Sequence, residues 1–506
     1  MSRGIILRVC LVLAVALALL AISVSGASEN EAAHKVSPQH EVYAREIQAK
    51  EIQAKENDSA IAYDHVAIVG DLNLDQREFK SITITNSLFR GNASFFGTAF
   101  SQKADFKGTR FQKNAVFYRT IFGGDADFSG GRFGGEANFS ESVFNAGGTF
   151  DCALFDGEAR FSAARFGDFG SFFNTTFKKD ASFSLAQFNG IYAIFENSHF
   201  QGAADFVGSQ FCPFLSFSKA RLDKSADFHA SSFGGGISFE KTVFLGEARF
   251  DGSHFCEDSL LQKIDFNDTA DFGGAKFDGP SFFEGTRFYG DALFDGAEFN
   301  APSDFNRTRF DRDLGMNSTK ISTMIFDGAA FGPGSQLFMA KADINKLLID
   351  WSLIKDILHY DSSAYLSLVK NYRDLGLDEA DDCYYQYRSI NQDLKGWGPS
   401  KLMDIFANIS CGYGVRAERP VLCSLIIVLI CMVVLWFDNG LRQLSDRSRR
   451  TTICDSLYYC FAIFFMLPLP DLDPEERYRY VPVIIRALGW TLFALLIATI
   501  GEMMMR

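Results

Sequence analysis

Ala104-Asp105-Phe106-Lys107-Gly108-Thr109-Arg110-Phe111-Gln112-Lys113-Asn114 is the stretch whose reading decides the fold. Phe106 and Phe111 are its large apolar residues, each with a small residue two positions earlier, Ala104 and Thr109; the flanks are charged, polar or Gly. The same beat spreads in both directions. Phenylalanine stands at 89, 95, 100, 106, 111, 117, 122, 128, 133, 139, 144, 150, 155, 161, 166, 172, 177, 183 and 188, in alternating steps of six and five. Such a period fits neither a helix at 3.6 nor a flat strand at 2. It fits a chain that turns a corner every five residues or so and points the Phe and the small residue inward. Self-similarity at a short fixed period is the mark of a stacked repeat. Each Phe then stacks on its counterpart one coil later, about 4.8 Å away. Gly at the corners supplies backbone freedom where the chain bends.

The ladder continues after a one-residue slip at Phe195, through Phe200, Phe206, Phe211, Phe217, Leu222, Phe228, Phe233, Phe239, Phe244, Phe250 and Phe255. It breaks from Cys256 to Ile264, resumes from Phe266 to Phe310, and closes at Phe326 and Phe331. The break near Leu260 reads as an insertion and a candidate surface loop. The beat adds up to about eleven coils, a rod of roughly 50 Å.

Over residues 80–340 this pattern resembles the pentapeptide-repeat proteins. The resemblance implies a mainly-β fold, a right-handed quadrilateral β-helix. The family's usual coil has twenty residues, whereas 5 + 6 + 5 + 6 gives 22 here, so a bulge of one residue is expected at every second corner. Phe106, Phe111, Phe117, Phe128, Phe139, Phe150, Phe161 and Phe172 are read as a structural ladder, not as ligands.

Residues 1–26 read as a signal peptide or anchor: Arg3 and Arg8 precede the apolar run Cys10–Val24, and small residues follow. Residues 27–79 read as a polar stalk, with EIQAK repeated at 46–55, followed by the start of the first coil. Eight Asn-x-Ser/Thr acceptors, at Asn57, Asn92, Asn138, Asn174, Asn267, Asn306, Asn317 and Asn408, agree with an exported surface and equally with a Ser/Thr-rich repeat. Residues 341–411 read as a helical linker or cap. Ile344, Leu347, Leu348, Trp351, Leu353 and Ile354 fit one helical face. A helical hairpin follows, with Tyr365, Leu368, Val369 and Tyr372 before Gly376, and Cys383, Tyr384 and Tyr387 after it. It suits a cap on the β-helix or, through the tyrosines, an oligomer contact.

Residues 412–506 form a membrane module. Apolar runs at 421–437 and 483–500 are long enough for spans, and a shorter apolar segment, re-entrant or a third span, lies at 454–470. Helix, short apolar segment, helix resembles a two-helix potassium-channel pore over residues 412–505. Tyr458, Phe464 and Asp471 stand where that family commonly keeps Tyr, Phe and Asp. The family's Thr-x-Gly-Tyr-Gly filter aligns here with Met466-Leu467-Pro468-Leu469-Pro470. Filter carbonyls face the ion through dihedrals that glycine permits and proline forbids, so the pore-like segment, ending at Asp471, is degenerate. Arg442, Arg447, Arg449 and Arg450 between the spans, against Arg416 and Arg419 before them, favour that loop inside and the β-helix outside.

The chain has 506 residues and a net charge of −13. No basic patch points to nucleic acid. No Ser-His-Asp order, phosphate-binding Gly loop or metal motif stands out, so no catalytic, cofactor or metal residue is assigned and no cofactor is expected. His199, His229 and His254 fall outward beside ladder residues. Cys212 and Cys256, about two coils apart, are too distant for a disulfide; Cys383 with Cys411 is conceivable. The expectation is an integral membrane scaffold or interaction protein without catalytic activity, its β-helix extracytoplasmic. Its protein partner is unknown, and it could form a homo-oligomer, a tetramer by analogy with channels. The alternative is an ion-channel-like transport protein with the β-helix as sensory or assembly domain.

Overall fold

The computed structural model describes residues 40–53, 60–212, 214–444, 451–467 and 471–504. The signal or anchor segment expected at 1–26 lies outside them. The fold is a β-solenoid of about 14 turns followed by helices. Two compact units divide the chain, one through Gly167 and one from Asp168 to Arg506.

Beyond its first turns, the first unit builds each turn from four short strands, such as Ala104–Asp105, Arg110–Phe111, Ala115–Val116 and Ile121–Phe122. Each pairs in parallel with the strand 22 residues on: Ala104 with Ala126, Arg110 with Arg132, Ala115 with Ala137, Ile121 with Val143. The small residue and the Phe two positions later both face the core, as strand alternation requires. Phe106 stacks on Phe128 at 5.1 Å, Phe111 on Phe133 at 5.1 Å and Phe117 on Phe139 at 4.7 Å, with planes within 6°. Across the core, Phe106 meets Phe117 edge to face at 5.6 Å. Stacked along the axis and T-shaped across it, each ring meets the electrostatic preference of its neighbours.

The two corner types explain the alternating step. In the five-residue step Thr109 N–H donates to Phe106 O (3.1 Å) and Gly108 takes a φ of 67°. Arg119 and Glu141 hold the equivalent place at φ 56° and 57°, a left-handed conformation that costs a side-chain-bearing residue more than glycine. In the six-residue step the extra residue sits in the corner, outside the paired strands, as at Gln112-Lys113-Asn114, and ladder register is kept. These corners stack closely: a Cβ on Gly157 would lie 2.1 Å from the Gly135 carbonyl oxygen.

Residues 27–79, expected to hold a polar stalk and the start of the first coil, contain strands and one helix in their described part. His40–Tyr43 pairs with Val66–Val69, and α1 (Ala44–Gln53) buries Ala44 and Ile47 while the Gln48 amide donates to Asn73 O (3.0 Å). Apart from Phe79, the first turns are filled by Ile68, Leu72, Leu74, Ile82 and Ile84. This is one reason that counting phenylalanines gave about eleven coils where the structure has about 14.

The second unit continues the same construction. Phe172 stacks on Phe195 at 4.8 Å and Phe177 pairs with Phe200, 23 residues on. The additional residue is taken up around Asn189-Gly190-Ile191, where Ile191 is exposed. The surface loop expected at Cys256–Ile264 is absent. Ser259–Leu260 is a strand paired with Ile237–Ser238 and Ser281–Phe282, and Leu261 fills the phenylalanine slot. Nor does the β pattern stop at Lys341. Asp343–Ile344 and Leu347–Leu348 pair with Lys320–Ile325, so Ile344, Leu347 and Leu348 belong to strands, and the helix starts only at Trp351.

Among the described residues seven α-helices follow: α2 (Trp351–Ile354), α3 (Ser362–Asp374), α4 (Glu379–Leu394), α5 (Pro399–Cys411), α6 (Glu418–Phe437), α7 (Ile453–Phe464) and α8 (Val481–Met504). The hairpin of α3 and α4 closes the last turn. Asn371 of α3 donates its amide to Leu347 O (2.8 Å) and accepts Leu347 N–H (2.9 Å), as a further strand would. Tyr372 OH donates to Ile349 O (3.0 Å). A solenoid otherwise ends in unpaired strand groups that need such a cap.

Candidate functional site in the C-terminal helices

All eight ladder residues named from the sequence, Phe106 through Phe172, are fully buried. The ladder offers no polar atom to a ligand. Its hydroxyl neighbours, read only as small residues, are also placed inward: Thr120 donates to Phe95 O (2.7 Å), Ser142 to Phe117 O (2.6 Å) and Ser253 to Phe228 O (2.6 Å). Each therefore satisfies a buried polar group. On the outside, His199, His229 and His254 each meet an aspartate of the next turn, Asp223 (2.8 Å), Asp251 (2.7 Å) and Asp278 (2.6 Å). Bonds from His254 and Asn300 hold the Asp278 carboxyl below the usual range. These are surface pairs that link turns.

The chemistry-bearing side chains gather in the C-terminal helices. α7 is short and apolar, and its start is fixed by a capping box: Asp455 N–H donates to Thr452 Oγ1 (3.3 Å) and Thr452 N–H to Asp455 Oδ2 (2.9 Å). It packs against both α6 and α8, with Tyr459, Cys460, Ile463 and Phe464 in one core with Val428, Met432 and Leu435 of α6 and Ile485 and Leu492 of α8. Gly489 allows the approach, since a Cβ there would lie 2.7 Å from Phe464 O. After α7 the chain turns at Met466 (φ 56°), and Leu467 N–H donates to Ala462 O (2.8 Å). Met466 and Leu467 are exposed; Pro468, Leu469 and Pro470 lie outside the described residues. Asp471 O accepts Leu444 N–H (3.3 Å), beside the antiparallel pair Leu441–Gln443 and Leu472–Pro474. An apolar cavity of ≈ 310 Å³, lined by Leu425, Val428, Phe461, Phe465, Trp490 and Phe493 among others, lies among the three helices.

A polar cluster joins α4, α5 and the turn into α6. Arg419 donates to Asn408 Oδ1 (2.6 Å) and to Tyr385 OH (2.9 Å), and Tyr385 OH donates to Asn408 Oδ1 (3.1 Å). Arg416 reaches Asp382 at 2.5 Å, with its guanidinium 5.2 Å from the Tyr385 ring. Asp404 is bonded by Lys395 and by Arg388 (3.1 Å), and these cations hold its carboxyl below the ordinary range. Beside this cluster a groove of ≈ 570 Å³ carries Asp350, Lys355, Glu379, Asp382 and Arg416, a mixed lining with no dominant sign. Of the tyrosines expected in the hairpin, Tyr384 and Tyr387 are half-buried, and Tyr365 and Tyr372 pack inside the cap. Tyr365 and Tyr372 are fully buried, and burial raises Tyr365 to about 12. Cys383, also buried, is pushed up to about 12. Cys383 and Cys411 are free thiols. Among the described residues no three His, Cys, Asp or Glu side chains are grouped to hold a metal ion.

A family model described as pentapeptide repeats matches the chain in nine copies, at residues 84–132, 183–232, 217–262, 261–309 and 272–320. The chain carries pentapeptide repeats. No curated protein and no solved structure matches it. The pentapeptide-repeat solenoid fits a non-catalytic, interaction role. Among the described residues two helices of the tail, α6 and α8, are long and apolar enough to cross a membrane.

Proposed function

We propose that this chain is a membrane-anchored pentapeptide-repeat scaffold without catalytic activity, whose tail holds the solenoid at the extracytoplasmic face. One observation carries the anchoring: only 22 % of the apolar stretch of either α6 or α8 is buried within the chain. A helix that is apolar all round and largely uncovered is suited to lipid. At 20 and 24 residues, α6 and α8 rise about 30 Å or more, the thickness of a hydrocarbon core. The arginines at 442–450 support a cytoplasmic loop between the spans, and Arg3 and Arg8 before an apolar run support export. In this reading the solenoid is right-handed and four-sided, as the repeat family implies, and its outer faces bind a protein partner. Two spans per chain suit association of copies, four by analogy with channels.

Helix, short capped helix, helix, with α7 packed against both α6 and α8, favours a pore-module ancestry as a second reading. Pro468 and Pro470 stand against a selective filter. The test of anchoring is alkaline carbonate extraction of membranes holding the full chain. Retention in the membrane pellet supports the proposal. Release into the supernatant, as for a peripheral protein, overturns it.

A further inference from the structure

α5 has the polarity of an inverted amphipathic helix. Its polar side chains turn toward the protein: Asp404, 8 % exposed, meets Lys395 and Arg388, and Asn408 meets Tyr385 and Arg419. Its outward arc is apolar, with Leu402 58 %, Met403 72 %, Phe406 55 % and Ile409 62 % exposed. Trp397, two residues before the helix, is 82 % exposed, with the Lys401 ammonium 5.4 Å from its ring. A surface helix in water shows the opposite arrangement.

We propose that α5 lies in the membrane interface, its apolar arc in the boundary between headgroups and acyl chains. The inference rests on the membrane reading of α6 and α8. Three observations select lipid as the occupant. First, α5 is continuous with the candidate span. Gly412-Tyr413-Gly414, all at positive φ, turn the chain from α5 into α6, Arg419 bonds back to Asn408, and the Cys423 thiol approaches Ile409 O (3.4 Å). The exposed arc of α5 thus adjoins the exposed apolar start of α6, Val421 and Leu422. Second, α5 is 13 residues long, about 20 Å, too short to span and suited to lying in the plane. Third, an exposed indole beside a lysine is the pairing that settles at headgroup level, ring inward and ammonium outward.

The test uses the full chain in phosphatidylcholine vesicles with a nitroxide amino acid at position 406, 429 or 393, read by collision with oxygen, which concentrates in lipid, and with a water-soluble nickel chelate. Oxygen collisions exceeding nickel at 406, at a shallower depth than at 429 in α6, with nickel prevailing at 393, support the proposal. Phe406→Glu as an unlabelled background should shift a label at 409 toward nickel. Nickel prevailing at 406 while 429 remains oxygen-rich overturns the placement of α5 and leaves the membrane reading standing. Shielding of 406 from both reagents with dipolar broadening between labels overturns it in favour of a second copy. Nickel prevailing at both 406 and 429 overturns the membrane reading and the inference with it.

Discussion

Asn371 and Leu347 exchange two hydrogen bonds, amide to carbonyl at 2.8 Å and backbone N–H to amide oxygen at 2.9 Å, with both residues buried. A single side chain thus stands in for the next strand and ends the stack. Asn371→Ala would orphan the Leu347 N–H and C=O, at about 1–3 kcal/mol for each group. Hydrogen exchange should accelerate at Leu347 and its neighbours first and leave the mid-solenoid amides unchanged. Uniform protection in the variant would show that the cap is not what holds this end.

Phe139 is stacked on Phe117 at 4.7 Å and Phe161 at 5.0 Å, and meets Phe128 and Phe150 edge to face at 5.1 Å each. Phe139→Ala should cost about 3–5 kcal/mol. Phe139→Leu should cost much less, because Leu222 and Leu261 fill equivalent slots. Because each turn touches only its neighbours, limited proteolysis should open the chain near residue 139 before elsewhere. Equal stability of the Ala and Leu variants in denaturant melts would contradict a packed ladder.

The regular phenylalanine beat made most of the solenoid legible in the sequence, and where the beat changes residue the reading failed. Leu261 stands where the phenylalanine beat breaks although it packs like a phenylalanine, and Ile68, Leu72 and Ile82 mask the first turns. Ile344, Leu347 and Leu348 are spaced three and four apart, which suits a helix as well as two short strands separated by a corner. The polarity of α5 was not legible at all, because nothing local shows that Asp404 and Asn408 are bonded inward; their partners Arg388 and Tyr385 lie a helix away.

Asp64 accepts bonds from Thr85 (2.7 Å), His65 (2.8 Å) and Asn86 (3.1 Å), which lower its carboxyl to about 2. A folded value below the ordinary 3.8 means these bonds stabilise the fold fully above that pH. The contribution is lost as pH falls from there through about 2. Carboxyl NMR should place the Asp64 titration near 2, and Thr85→Val should move it upward. Titration near 3.8 in the unmodified chain would remove this contribution.

Cys383 is fully buried, and burial pushes its thiol to about 12. In folded protein at neutral pH it should react with maleimide far more slowly than the exposed Cys152 and Cys212, and at their rate once unfolded. Comparable rates in the folded state would mean that the α3–α4 cap opens readily.

We propose that the tail holds the solenoid outside the cytoplasm, and the native thiols Cys152 and Cys212 test this claim most directly. Both are exposed, one in each compact unit. A membrane-impermeant maleimide applied to intact cells, followed by mass spectrometry of the purified chain, should find both cysteines labelled before lysis. Labelling of both only after lysis would place the solenoid in the cytoplasm and contradict the claim.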